Sequence, residues 1–145
     1  MDQEKYKKYI ISKPKLVYDL PHHAGGSESR GFTYPHQVYL DLELLEGSPA
    51  VIDMGWRTEV PHPNPISQPH THPFDTVLFY IGSDPSNPMD LGAELEVQLE
   101  NERYRFNTTT VIFVPKGVTH TVRHIRVDRP IFGLGIQLNN KGKYI

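Results

Sequence analysis

At 145 residues with 37% hydrophobic content, the chain suits one globular domain that buries roughly 70% of the surface its unfolded form exposes. A formal charge of −2 gives no electrostatic footprint for nucleic acid, and no run of about 18 apolar residues is present to cross a membrane as a helix. With no cysteine, disulfides, thiolate ligation and cysteine nucleophiles are excluded, so a bound metal would use nitrogen and oxygen donors.

The opening "MDQEKYKKYIISKPKL" lacks the apolar core of a secretory signal. Together with the missing cysteines, this leads to the expectation of a soluble cytoplasmic protein. "KPKLVYDL" reads as an edge strand that would pair across a subunit interface, and "HHAGGSESRGFTYP", residues 22–35, as a loop in which His22 and His23 are solvated. "HQVYLDLELL" then alternates with period two: Val38, Leu40, Leu42 and Leu44 face one way, and Gln37, Tyr39, Asp41 and Glu43 the other.

"AVIDMGW", residues 50–56, is a further strand, followed by "VPHPNPISQPH", whose four prolines exclude regular helix. "TVLFYI" reads as a buried strand closed by Gly82. "AELEVQLENERYRF" reads as a hairpin whose first arm turns Ala93, Leu95, Val97 and Leu99 inward, with a helix as the competing reading. "TTVIFVP", "VTHTVRHI" and "PIFGLGIQL" add three strands. About eight short strands among thirteen prolines and eleven glycines predict an all-β domain: a sandwich, jelly roll or small barrel.

Chemistry enters at "PHTHPFDTVLFYIG", residues 69–82. In a strand, residues two apart project from one face roughly 6.5 Å from each other, so His70 and His72 can chelate one ion, and Pro69 and Pro73 restrict the pair before any ion arrives. The second half lies in "PKGVTHTVRH", where Pro115 and Gly117 make a turn and His120 enters the next strand. His120 and His124 share parity, so both can point into the same barrel.

These two segments resemble the paired motifs of the cupin superfamily. The first reads His70-x-His72-x2-Asp75-x6-Gly82 and the second Pro115-x-Gly117-x2-His120-x3-His124, with residues 83–108 between them. The resemblance implies a double-stranded β-helix, the cupin jelly-roll barrel, over residues 36–145, preceded by an N-terminal extension over 1–35. It further implies a metal held by His70, His72, His120 and an acidic residue, and assembly as a homodimer. Asp75 keeps the spacing to Gly82 but sits one residue close to His72, and counting from His72 places Thr76 in the acidic position. A carboxylate is the better divalent-metal ligand than a neutral hydroxyl, which favours Asp75; a three-histidine site completed by water is the alternative. The first glycines of the two motifs are replaced by Asn64 and Thr109, and the final asparagine by His124, a candidate proton shuttle, substrate partner or extra ligand.

Other residues carry less. His36 reads as a rim residue, His62 as solvated, Trp56 as core or interface, and Gln68 as a hydrogen-bond partner for a substrate at the pocket mouth. Arg103 and Arg105 either form a solvated hairpin face or hold a carboxylate. Tyr80 has the parity opposite to Asp75, so an inward Asp75 would put Tyr80 outside. No nucleophile elbow, phosphate-cradling loop or dinucleotide fingerprint occurs.

The expected function is a metal-dependent enzyme acting on a small oxygenated or carboxylate substrate. Oxygenase-type chemistry is preferred because neutral imidazoles plus a carboxylate suit Fe(II); Mn, Ni, Zn or Co are also accommodated. A lyase, isomerase or decarboxylase, or a non-catalytic small-molecule binder, is the alternative.

Overall fold

The computed structural model describes residues 4–144. Ten strands run along the chain: β1 (Lys15–Val17), β2 (Arg30–Phe32), β3 (His36–Leu40), β4 (Val51–His62), β5 (Thr76–Ile81), β6 (Asp90–Leu99), β7 (Glu102–Thr108), β8 (Thr110–Val114), β9 (His120–Val127) and β10 (Ile131–Gln137). All pair antiparallel, in a seven-stranded sheet ordered β1-β3-β4-β10-β5-β8 with β2 on β4, and a three-stranded sheet ordered β7-β6-β9. Among the described residues the only helical element is the 3-10 turn Lys7–Tyr9. The all-β expectation holds.

Strand β6 settles the helix-or-strand ambiguity of its Glu- and Leu-rich sequence. Ala93, Leu95 and Val97 are buried while Glu94, Glu96 and Gln98 stay at the surface, a period of two that no helix can present. These side chains meet Tyr80, Ile112, Val114, Val122 and Ile131 between the sheets in the main apolar cluster. A smaller cluster joins Leu20, Val38 and Val51, with Val17, Leu44 and Tyr144 packed against it.

One local expectation changes. The alternation beginning at His36 does not run on as strand through Leu44: Asp41 Oδ1 accepts from the backbone N–H groups of Glu43 (3.0 Å) and Leu44 (2.9 Å), bending the chain into a turn. Leu42 is accordingly exposed. The "KPKLVYDL" segment does supply an edge strand: β1 pairs with β3, Leu16 opposite Gln37, at the end of the large sheet.

The two central strands of the large sheet carry their bulk on the outside. Along β10, Phe132, Leu134 and Ile136 face out, and Ile131, Gly133, Gly135 and Gln137 are buried within. On β4 the inward row is Asp53, Gly55 and Arg57, in register with Gly135, Gly133 and Ile131. The barrel interior is therefore polar on this wall, and the outer face is apolar: Trp56 packs edge-on to Phe132 at 5.1 Å, and Trp56, Val111 and Phe113 are each about half exposed.

Candidate metal and substrate site

The two histidine segments are brought together by backbone hydrogen bonds before any ion is considered. His70 and His120 form an isolated antiparallel bridge, His70 N donating to His120 O at 3.2 Å and His120 N to His70 O at 3.0 Å. The turn at Pro115–Val118, where Gly117 sits at φ +81°, a conformation that suits glycine because it lacks Cβ, is sewn to the first segment by Gly117 N donating to His72 O at 2.9 Å. Its other stitch is Lys116 N donating to Asp75 Oδ1, also at 2.9 Å.

This arrangement gathers His70, His72 and His120, whose ligand nitrogens lie within 4.8 Å of one another. Nitrogens about 2.1 Å from a shared ion sit roughly 3 to 3.5 Å apart, so small side-chain movements complete the set. His70 Nδ1 is hydrogen-bonded to Gln68 O, and His120 Nδ1 to Val118 O at 3.0 Å. A ring nitrogen that donates to a carbonyl fixes the neutral tautomer and leaves Nε2 as the lone-pair donor, the orientation metal-binding imidazoles adopt. Burial lowers the pKa of both, that of His70 to about 4, so the rings are neutral near pH 7. The chemistry of the donor set fits a divalent transition metal.

Asp75 is not brought to the cluster. Its carboxylate caps the Lys116 N–H on the outer side of the turn. Thr76 takes the inward position: it is 1% exposed, lines the cavity, and its Oγ1 has no hydrogen-bond partner. The cause is alternation along the chain: His72, Phe74 and Thr76 are buried on one face, so Asp75, lying between two of them, takes the other. The parity argument for Tyr80 holds with the sign reversed: Tyr80 is 6% exposed and lines the cavity.

His124 does follow His120 inward. It is 3% exposed, lines the same cavity, and neither ring nitrogen has a partner; burial, reinforced by the charge of Arg57, lowers its pKa to about 3. Its backbone is clamped from outside the sheet by Asn64, whose Nδ2 donates to His124 O at 2.7 Å while His124 N donates to Asn64 Oδ1 at 3.0 Å.

Several site residues escape a sequence reading. His22 is exposed, but His23 is not solvated: the segment around them lies along the proline loop, with Ala24 N donating to Ile66 O and Gln68 N to His22 O. The His22 ring stacks on His70 at 4.4 Å. His23 lines the cavity, with its Nδ1 2.9 Å from Pro21 O and 3.3 Å from the Tyr144 hydroxyl, and burial lowers its pKa to about 3. His36 is buried, its Nε2 2.8 Å from Ala24 O. Arg103 and Arg105 lie on the exposed strand β7, Arg105 pairing with Glu96; Gln68 and His62 are exposed. Asp53 and Arg57 also line the cavity. Their signal was available in "VIDMGWR", where polar residues share parity with a glycine and large apolar residues take the other face.

No protein-family model matches the sequence, and no curated protein matches it. Solved structures do resemble it. An oxalate oxidase is 13% identical with a TM-score of 0.58, over 99% of this chain and 66% of that one. The polyketide cyclase RemF from Streptomyces resistomycificus is 11% identical with a TM-score of 0.56, over 92% and 80%. A cupin-2 domain protein from Rhodospirillum rubrum is 11% identical with a TM-score of 0.53, over 90% and 72%. At these identities the likeness speaks of architecture: the chain has the cupin barrel fold, with a histidine triad inside it that can hold a metal.

Proposed function

We propose that the protein is a metal-dependent enzyme of the oxygenase type, acting on a small oxygenated or carboxylate molecule, with a divalent transition metal held by His70, His72 and His120. The observation that carries this reading is the gathering of three imidazoles whose ligand nitrogens lie within 4.8 Å, two of them with Nδ1 engaged by a carbonyl, which leaves Nε2 as the free lone-pair donor. When bound, such an ion supplies Lewis-acid polarisation or, as Fe(II), redox capacity. Three neutral ligands leave its positive charge largely uncompensated, which favours an anionic oxygen ligand over a neutral one. Thr76, placed where an acidic ligand was expected, adds no charge, and water or substrate completes the shell.

The chain's own groups have definable tasks. His124, neutral and without a partner at either nitrogen, accepts a proton at one and donates at the other; its low pKa makes it a weak base, suited to orienting a ligand oxygen more than to storing a proton. Leu78, Tyr80 and Val122 line the cavity with apolar surface and strengthen the polar contacts by excluding water. The cysteine-free composition supports a cytoplasmic setting; no helix among the described residues is long and apolar enough to cross a membrane. The apolar outer face around Trp56, Val111 and Phe113 supports a homodimer joined sheet to sheet.

Metal analysis of the purified protein is expected to give near-stoichiometric transition metal, lost in His72→Ala and His120→Ala. Oxygen uptake by Fe(II)-loaded protein with catechols, β-diketones and hydroxy acids then tests the reaction type. Metal-free protein with full activity would overturn the metal reading, and binding without turnover would make the protein a binder.

A further inference from the structure

We propose that the wall formed by Asp53, Arg57 and Gln137 is the binding site for the carboxylate of a small organic acid. This rests on the metal-centred reading above and sets its substrate class.

The wall is built for a ligand that the chain does not itself provide. Gly133 and Gly135 lie at the centre of the large sheet, and a Cβ at Gly133 would sit 2.6 Å from Arg57 Cζ, while one at Gly135 would sit 2.9 Å from Asp53 Oδ1. Two missing side chains thus make the room in which the guanidinium and the carboxyl lie against the barrel wall. Arg57 spends Nη1 on its own strand, donating to Gly55 O at 2.9 Å, and its guanidinium lies 5.8 Å from the centre of the Tyr80 ring. Its Nε is buried with no partner, and among the described residues no carboxylate is within ion-pairing distance of it. A guanidinium inside the barrel with an open Nε–H and no carboxylate in ion-pair contact is stabilised by an anion of matching geometry.

The neighbouring atoms complete the recognition. Asp53 Oδ2, Gln137 Oε1 and Thr76 Oγ1 are all buried without partners, and Gln137 and Thr76 stand opposite each other in register. Burial raises the Asp53 carboxyl to about 6, against the opposing pull of Arg57 and Gln137. An anion seated nearby raises it further, so that Oδ2–H donates to the ligand and does not repel it. The same cavity, about 70 Å³, has room for about five water-sized groups, which limits the ligand to an acid of a few carbons whose other end reaches the histidine triad. Arg57 Nε and the Thr76 hydroxyl, both without partners, donate to the ligand's carboxylate, Gln137 Oε1 accepts from a ligand hydroxyl, and the metal site meets the ligand's other oxygen.

Calorimetric titration with glycolate, and with neutral glycolamide as control, separates this proposal from the metal reading. It is run on chelator-treated and Zn(II)-loaded protein, for the wild type and for Arg57→Gln, Arg57→Lys and Asp53→Asn. Glycolate is expected to bind the chelator-treated wild type, and glycolamide to bind about tenfold more weakly or worse. Arg57→Gln is expected to lose about tenfold or more, the scale of one charge-assisted hydrogen bond. Arg57→Lys should lose less, because it keeps the charge without the fork. Asp53→Asn should bind as well as wild type or better, since the amide donates without a negative charge. That opposite sign in two adjacent folded variants is not produced by general damage. Glycolate binding that appears only with Zn(II), or that ignores Arg57→Gln, would overturn the carboxylate wall and leave the metal reading standing. Arg57-dependent binding by a protein that takes up no metal would overturn the metal reading alone, and no glycolate binding in either form would overturn the wall.

Discussion

Asn64 offers a sharp test of how the proline loop fixes the cavity. Its carboxamide spans the backbone N–H and C=O of His124 at 3.0 and 2.7 Å, on the edge of β9 that faces away from β6. Asn64→Ala removes both bonds and leaves two half-buried backbone groups to find water. At about 1 to 1.5 kcal/mol net for each neutral bond, the variant should lose about 2 to 3 kcal/mol of stability, and for a domain of this size melt about 5 to 10 °C lower. Asn64→Asp restores the acceptor and not the donor, so it should recover only part of the loss. Urea denaturation of the metal-free protein gives the number, and metal content gives a second readout. Because the bridges that join His70, His72 and His120 do not pass through Asn64, metal uptake should survive the loss of stability. A variant as stable as wild type to within about 0.5 kcal/mol would refute the clamp, and metal loss as complete as in His120→Ala would refute the separation of the two.

Other outcomes follow from the same contacts. Asp75→Ala should keep its metal while losing about 1 kcal/mol of stability with the cap on Lys116 N; metal loss matching His72→Ala would restore Asp75 as a ligand. In the metal-free protein, His23 and His124 have folded pKa values of about 3, below the unfolded value near 6.5. The unfolded chain therefore binds protons first, so stability is complete above pH 6.5 and falls by about 1.4 kcal/mol per pH unit for each group as pH drops towards 3; urea midpoints that stay flat from pH 7 to 5 would contradict their burial. Trp56→Glu with Phe113→Glu should convert a dimer into a monomer by sedimentation without loss of metal, whereas a wild-type monomer ends the sheet-to-sheet reading.

What the sequence discloses here depends on how local the cause is. The two histidine segments are legible because a proline-bracketed pair and a Pro-Lys-Gly turn before a strand are both short-range patterns, and the structure brings them together. Asp75 lies away from the cluster because the buried face runs through His72, Phe74 and Thr76; counting from His72 finds the inward position, whereas the carboxylate's better ligand chemistry points one residue to the side of it. His23 is hidden from the sequence for a different reason: Gly/Ser-rich composition describes a loop but not what it lies against, and Ile66 and Gln68 hold this one over the site. Asp53 and Arg57 are not legible because large apolar side chains usually mark the interior face of a strand. In β4 the interior is polar, and Ile52, Met54 and Trp56 are on the outside.

Strand β10 has a consequence of another kind. Its two glycines lie beneath the Arg57 guanidinium and the Asp53 carboxyl, so the seats of those two groups are set by side chains that are missing from the strand. A carbon added at position 133 or 135 would push one of the two aside, which moves the polar face offered to a ligand from positions far along the chain from the metal-binding segments. Selection acting on that strand alone can exchange the molecules that fit while leaving untouched the groups that would react with them.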